Sequence, residues 1–413
     1  MSTASHDWRR SSKGLCERVV VMGLETAFPQ AATSVALIGV QGFGRSYLRI
    51  LHELENTGQI RFVAGSDLMP EASGELPGHA SFHSDHREML AEREPDVTIV
   101  ATPPHTHFQI ARDAIEAGSD VLLEKPPVVS IGQHLDLMEL CRRRGRICQV
   151  GFQGLASAAI QRLLEVAAAD RLGEITDISV TARWIRLDRY YERSAWAGRR
   201  ERDGVVVADG VATNPLAHPV MNALRIAQAE DPHAQPVQLD VEAYRCRDIA
   251  TDDTASIRLH MSNGKHVHVA VTLCAETLAD PRVIVRGTTT DAVLADTATS
   301  VYVGGIREHV PAERGQPLHN LLSHRRDPAR VTLLAPLGQT LAFTAFLEGM
   351  MNSGPPHRLA PEFLDERDEE GSRRVILRGI DAVIAEAGRR PALFSEVGTP
   401  WAVPPVSVPL ATS

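Results

Sequence analysis

Between residues 34 and 153, short apolar runs alternate strictly with helix-spaced segments, and this pattern constrains the fold more than any other feature. The runs are SVALIGV (34–40), IRFVAGSD (60–67), DVTIVAT (96–102), DVLLEKP (120–126) and ICQVGFQ (147–153). The intervening segments 44–54, 86–92, 107–118 and 131–145 carry helical patterns, as in Tyr47, Leu48, Leu51 and Leu54, and the last two close on Gly118 and Gly145. Buried strands separated by helices read as βαβ units, which build a parallel sheet covered on both faces.

After about residue 170 the runs lengthen and alternate apolar with polar: 174–187, 238–246, 254–261, 266–274 and 282–288, with a turn at 262–265. Such runs predict a mostly antiparallel sheet with one exposed face. Helices are predicted over 337–351 and 372–388, and the Pro-rich stretch 404–410 reads as extended. The expected fold class is α/β: an N-terminal Rossmann doubly wound parallel sheet, then an α+β domain with a large, mostly antiparallel sheet. The expected divisions are an N-terminal extension at 1–33, a dinucleotide-binding domain at 34–153, and a substrate-binding and oligomerisation domain at 154–413.

A chain of 413 residues fits two or three domains, and a net charge of -9 speaks against a nucleic-acid partner. No apolar stretch reaches the ~18 residues of a membrane helix. Five cysteines without a CxxC pair fit reduced thiols and a cytoplasmic location. Arg9-Arg10 raises a twin-arginine export signal, but the apolar stretch Val19 to Leu24 is too short for one, and export is not expected. Met22 is a candidate alternative start.

The first run enters GVQGFG (39–44) and a helix follows at once. A helix N-terminus presents free N–H groups and partial positive charge, which suit a pyrophosphate. Gly39 and Gly44 occupy the first and third places of a G-x-G-x-x-G fingerprint; Gln41 takes the second, and Gly42 comes one residue late. Backbone could still approach phosphate through Gly42, with Gln41 turned away. Asp67 ends the second run, 23 residues after Gly44. A carboxylate there accepts ribose hydroxyls and repels a 2′-phosphate, favouring NAD over NADP; a plain turn aspartate is the other reading. VLLEKPP (121–127) ends a buried run on Glu124, Lys125 and two prolines. Either the strand simply meets water there, or Lys125 stands at the carboxyl end of a parallel sheet, where α/β enzymes bind ligands.

GVQGFG, Asp67, ATPPHTH (101–107), LLEKPP (122–127) and QVGFQ (149–153) occur in one order, and together they resemble the Gfo/Idh/MocA family of NAD(P)-dependent oxidoreductases. The resemblance is specific over 34–153 and weaker through RYYERSAWAG (189–198) and DGVATNPLAHPVMNAL (209–224). It implies hydride transfer between nicotinamide and a hydroxyl-bearing carbon of a sugar, cyclitol or related polyol. It also implies a small-molecule substrate and a homo-oligomer, dimer or tetramer, often formed through the second-domain sheet. Lys125 then lies near the nicotinamide and the reacting hydroxyl. Thr102, Pro104, His105, His107 and Glu124 match positions lining the cofactor, and Gln41, Phe43, Pro103 and Gln153 belong to the same motifs. An ammonium beside the reacting oxygen stabilises developing negative charge, and burial lowers its pKa toward proton transfer.

The family's second catalytic stretch, D-x-G-x-H-x-x-D, is altered here. His218 keeps the histidine, but Asn214 replaces the first aspartate, Leu216 the glycine and Met221 the last aspartate. Asparagine cannot accept a proton at neutral pH, which leaves His218 as the general base and Asp209 as a candidate nearby carboxylate. On one helix Asn214 and His218 would share a face, but Pro219 suggests that the helix starts near it. Tyr190, Tyr191, Arg193 and Trp196 form an aromatic and basic cluster suited either to a sugar or to interdomain packing. His79/His83/His86, His105/His107 and His266/His268 lack a Cys or Glu framework, so no metal is expected, and the last pair reads as surface neighbours. A second class of answer is a nucleotide-binding sensor or assembly protein of the same fold without turnover, favoured by Asn214 and Gln41 and opposed by Lys125 and His218.

Overall fold

The computed structural model describes residues 32–295, 297, 299–311 and 315–410. The extension expected over 1–33, with Arg9-Arg10, Cys16 and Met22, lies outside them but for its last two residues. Six strands, β1 (Thr33–Ile38), β2 (Ile60–Ser66), β3 (Ser81–His83), β4 (Val97–Val100), β5 (Asp120–Leu123) and β6 (Cys148–Val150), form one parallel sheet in the order β3-β2-β1-β4-β5-β6. β4 and β5 are buried throughout, as strands covered on both faces must be. The covering helices are α1 (Gly44–Asn56), α2 (His86–Arg93), α3 (His107–Glu116) and α4 (Ile131–Arg144). α1 turns Tyr47, Leu51 and Leu54 inward. Ser130 caps α4 by accepting from the Gln133 N–H, and Gly145, at φ +61°, ends it. Strand order reverses between β1 and β4, which opens a crevice at their carboxyl ends.

The second sheet has ten strands and is mostly antiparallel, around β7 (Ile175–Ile185), which follows α5 (Ala158–Ala168). Among the described residues of this sheet, only β7 with His266–Thr272, and Pro236–Arg245 with His357–Arg358, pair in parallel. One face buries Ile178, Val180, Val267 and Val269 in the same core as Ala217, Val220 and Ala223 of α6 (Ala217–Ala227).

Three expectations are corrected. The face expected to be exposed is covered: a helix at Ile380–Arg389 lays Ile380, Ile384 and Ala387 on it, in one core with Tyr244, Ala270, Phe394 and Trp401. Gly388 permits the close approach, since a Cβ there would stand 2.8 Å from Thr181 Cγ2. His268 is therefore buried, not a surface neighbour of His266. Finally, 372–388 is not one helix. Its β-branched run makes strand Ser372–Leu377, paired with Leu364–Glu369, and Gly379 at φ +75° turns the chain before the helix begins at Ile380.

A helix at Pro317–Arg326, unpredicted from sequence, returns to the first sheet and buries Leu318, Leu321 and Leu322 with Val35, Leu37, Phe62 and Leu122. Gln149 fixes this return: Nε2 donates to Pro317 O at 2.6 Å and Oε1 accepts from the Leu334 N–H at 3.0 Å. The expected tail pairs as Val406–Pro409 with Pro236–Arg245.

Candidate functional site

The loops after β1 and β4 touch at the sheet's reversal. A Cβ on Gly39 (φ +86°) would lie 2.7 Å from Ala101 O, and a Cβ on Gly44 would lie 1.8 Å from Gly39 O. Both positions therefore require glycine, and together they fold the loop back onto the start of α1. Gly42 differs: its φ is +59°, yet a Cβ there would meet nothing in the protein. Among the described residues the N–H groups of Gly42 and Phe43 have no protein acceptor. Asp67 ties the loop down: Oδ2 accepts from the Val40 and Gln41 N–H groups at 2.9 and 3.0 Å, and Oδ1 from Met69 at 3.1 Å. The cradle, its free N–H groups and the helix start fit a dinucleotide pyrophosphate.

At the end of β5, Glu124 is an internal brace. Oε1 accepts from Tyr47 Oη at 2.5 Å and Gln153 Nε2 at 3.0 Å, and Oε2 from the Lys125 N–H at 3.1 Å. Burial raises its pKa against those bonds and the Lys125 charge. Gly151 makes room, because a Cβ there would stand 2.6 Å from Glu124 Oε1. His107 lies beneath the site, between Pro126 O (2.7 Å) and Thr102 O (2.8 Å), and burial holds its pKa to about 4 against the pull of both carbonyls.

Lys125 points into the space before α6. Its Nζ donates to Asn214 Oδ1 at 2.6 Å and Asn214 O at 3.0 Å. Asn214 Nδ2 donates to Asp209 Oδ1 at 2.5 Å, and both Asp209 oxygens accept from Arg193 Nη2 at 2.8 Å. An ammonium only donates and a carboxylate only accepts, so the Asn214 amide can face just one way. An aspartate at 214 would set two carboxylates against each other. The asparagine fits because Asp209, five residues upstream, already supplies the charge. Burial raises the Asp209 pKa, opposed by Arg193, the Gly198 N–H and Asn214. Burial lowers that of Lys125, opposed by Glu124 and Asp209 and reinforced by Arg193.

α6 begins at Ala217, so Asn214 precedes it and His218 sits in its first turn. The His218 ring meets Phe152 edge-on at 5.9 Å, and its Cβ would lie 3.4 Å from a Cβ on Gly154. The ends of β5 and β6 and the start of α6 thus gather Glu124, Lys125, Gln153, Asn214 and His218. Thr102 and Pro103 start the loop after β4. Pro104 opens its short 3-10 turn, and Thr102 Oγ1 accepts from Thr106 Oγ1 at 2.7 Å. His105 follows, its pKa lowered by burial first and by Arg202 second. The Arg193 guanidinium lies 3.9 Å from the Tyr190 ring centre and 4.9 Å from that of Trp196. Tyr191 instead packs under Arg247, at 5.6 Å. Sequence reading missed Tyr47, Gly151, Gly154, Trp184 and Arg186. Only contacts far along the chain reveal them.

The histidine sets disperse: His79 bonds Glu55, His83 bonds Ser81 and His86 bonds Asp113. Among the described residues, Cys246, Asp253 and Cys274 alone bring three potential ligand atoms within 4.8 Å of one another. The Arg247 guanidinium donates to Cys274 Sγ at 2.8 Å and Asp253 Oδ2 at 3.4 Å, filling the place of a cation.

Two family profiles match the chain. The oxidoreductase family with an NAD-binding Rossmann fold covers residues 33–152, and the GFO/IDH/MocA C-terminal domain covers residues 160–293, together more than half of the sequence. The chain belongs to the Gfo/Idh/MocA oxidoreductase family. An uncharacterized oxidoreductase of Synechocystis is 27% identical over 300 residues, covering 70% of this chain and 78% of the relative. D-glucoside 3-dehydrogenase of Escherichia coli is 29% identical over 164 residues, covering 40% of this chain and 46% of that enzyme. Inositol 2-dehydrogenase 2 of Saccharopolyspora erythraea is 28% identical, covering 34% and 42%. The match thus spans under half the length of these two dehydrogenases. Among solved structures, the WlbA dehydrogenase of Chromobacterium violaceum, in complex with NADH and UDP-GlcNAcA, superposes with TM-score 0.67 at 19% identity over 79% of this chain and 94% of that one. GenD2 from gentamicin A biosynthesis, in complex with NAD, gives TM-score 0.61 at 18% identity, covering 81% and 95%. At these identities the structural likeness shows the fold. As a Gfo/Idh/MocA member the chain is an oxidoreductase with an NAD-binding Rossmann domain.

Proposed function

We propose that this oxidoreductase transfers a hydride between NAD and a hydroxyl-bearing carbon of a sugar, cyclitol or related polyol. The observation that carries the reading is the Lys125–Asn214–Asp209 chain at the carboxyl end of β5, beside the glycine loop. NAD, held by Gly39 to Gly44, Asp67 and the residues after β4, supplies the hydride acceptor when bound. His218 takes the hydroxyl proton as general base. Lys125, as ammonium, donates to the same oxygen and stabilises the charge that develops on it. Asn214 aims the ammonium, and Asp209 keeps it protonated while Arg193 balances Asp209.

Asp67 has a lone pair free on Oδ1 for a ribose hydroxyl, and its charge disfavours a 2′-phosphate, which supports NAD over NADP. Residues 34–153 would hold the nucleotide and 154–413 the substrate. A cytoplasmic location and a homo-oligomer are part of the same proposal; free thiols at the described cysteines fit the first. A sensor without turnover would have no need of the aligned ammonium.

The test follows NADH appearance at near-UV wavelengths with NAD and a panel of sugars, cyclitols and sugar acids. Wild type is expected to reduce NAD with at least one of them, and Lys125→Ala to lose about 100- to 10,000-fold in kcat. Equal rates in the two proteins would overturn the mechanism.

A further inference from the structure

We infer that the substrate is acidic, a carboxylate-bearing sugar or polyol, and that Arg186 is the receptor for its carboxylate. The inference deepens the proposed function and rests on it for the location of the reacting site.

Side chains along β7 alternate between its two faces. Ile178, Val180 and Ala182 lie on the face packed with α6, and Trp184 borders the same core. Arg186 comes next on that face, just past the end of the strand. Its backbone is pinned: the N–H donates to Leu273 O at 3.0 Å, and its carbonyl accepts from Arg247 Nη2. Its guanidinium lies 4.6 Å from the ring centre of Trp184 and 5.2 Å from that of Tyr190. Tyr190 also carries Arg193 on its ring, and Arg193 leads through Asp209 and Asn214 to Lys125. Arg186 is therefore connected to the reacting centre through packed aromatic and hydrogen-bonded groups.

The charges around this cluster do not balance. Arg193 is committed to Asp209, and Lys125 is tied to both through Asn214. Arg186 forms no ion pair with any described carboxylate; Nη1 donates to Ile185 O at 3.2 Å. Arg186 is thus a half-buried cation set against two rings with no carboxylate partner among the described residues. A surface arginine ordinarily swings in water and loses its stem's freedom when ordered. One whose backbone is bonded on both sides and whose head rests against two rings is preorganised for a planar, two-toothed anion, and a carboxylate matches that fork. The half-buried Trp184 and Trp196 supply aromatic surface suited to the C–H faces of the sugar that would carry it.

The probes are D-glucuronate against D-glucose and D-gluconate against sorbitol, with glucose 6-phosphate as a third arm. Binding to NADH-loaded protein is measured by calorimetry, and turnover is measured separately. The acid of each pair is expected to bind at least about 10-fold more tightly, the scale of one charge-assisted bond, with a preference that weakens as salt rises. In Arg186→Gln the acid-to-neutral ratio should collapse toward one, and Arg186→Lys should keep part of it. Equal binding of acid and neutral partners, an unchanged preference in Arg186→Gln, or tighter binding of the phosphate than of glucuronate would overturn the assignment. Acid-selective binding without turnover in either direction would leave the Arg186 assignment standing and overturn the dehydrogenase reading.

Discussion

Asn214 departs from the family pattern, and the structure gives the reason. Its amide spans an ammonium and a carboxylate, which an aspartate at that place could not do without setting two negative charges at hydrogen-bond distance. Asp209 thus reaches Lys125 through Asn214, and the role proposed for it is positioning and charge balance. Asp209 raises the Lys125 pKa that burial lowers. In Asp209→Asn that support is gone, the folded-state pKa falls further, and the ammonium is lost at lower pH. The alkaline limb of the kcat profile should therefore move to lower pH, with NAD affinity little changed. An unmoved limb would contradict the relay. Lys125 and His218 were legible in the sequence because they sit inside short motifs. The roles of Asp209, Arg193 and Arg186 depend on side chains brought together by tertiary packing, which no local pattern encodes.

Among the elements, the loop between β1 and α1 separates the two jobs of glycine. Gly44 is needed by the fold, since a Cβ there would run into Gly39 O; Gly42 is in an open position whose Cβ would meet nothing in the protein. Gly44→Ala is expected to cost about 1–3 kcal/mol or more of stability and to lower Tm, with NAD affinity falling alongside. Gly42→Ala should cost about 1–2 kcal/mol for its left-handed backbone. It should nonetheless raise the Kd for NAD by about tenfold or more, equivalent to ~1.4 kcal/mol. Thermal melts and calorimetric titrations separate the two, and an unchanged Kd in Gly42→Ala would place the phosphates elsewhere. Strands with strong apolar runs, such as β4 and β5, were legible. β3, with three residues, is too short to show a period, and Ser372–Leu377 was merged into the helix that follows because arginines and apolar residues fit either spacing.

In the whole molecule, the two-sheet plan follows from the change in periodicity near residue 170, but the wrapping of the chain does not. The stretch from Pro317 onward returns one helix to the nucleotide-binding sheet and lays another over the far face of the second sheet. The helix at Ile380–Arg389 is amphipathic in sequence and that at Pro317–Arg326 only weakly so, and nothing local says which surface either will cover. The result ties the returning segment to the first domain: Gln149 bonds it from β6, and His134 of α4 donates from Nε2 to Leu337 O at 2.9 Å while Thr344 Oγ1 donates to Nδ1 at 2.8 Å. The proposed reaction requires the donor carbon and the nicotinamide to meet directly. The most direct measurement is the mass of the reduced cofactor after turnover of a substrate carrying deuterium at the oxidised carbon. Hydride transfer at the Lys125 site should yield NADH one mass unit heavier, with kcat slowed by the deuterium wherever chemistry limits the rate. Unlabelled NADH formed from the labelled substrate, or a protein that binds both ligands and moves no label, would contradict the account.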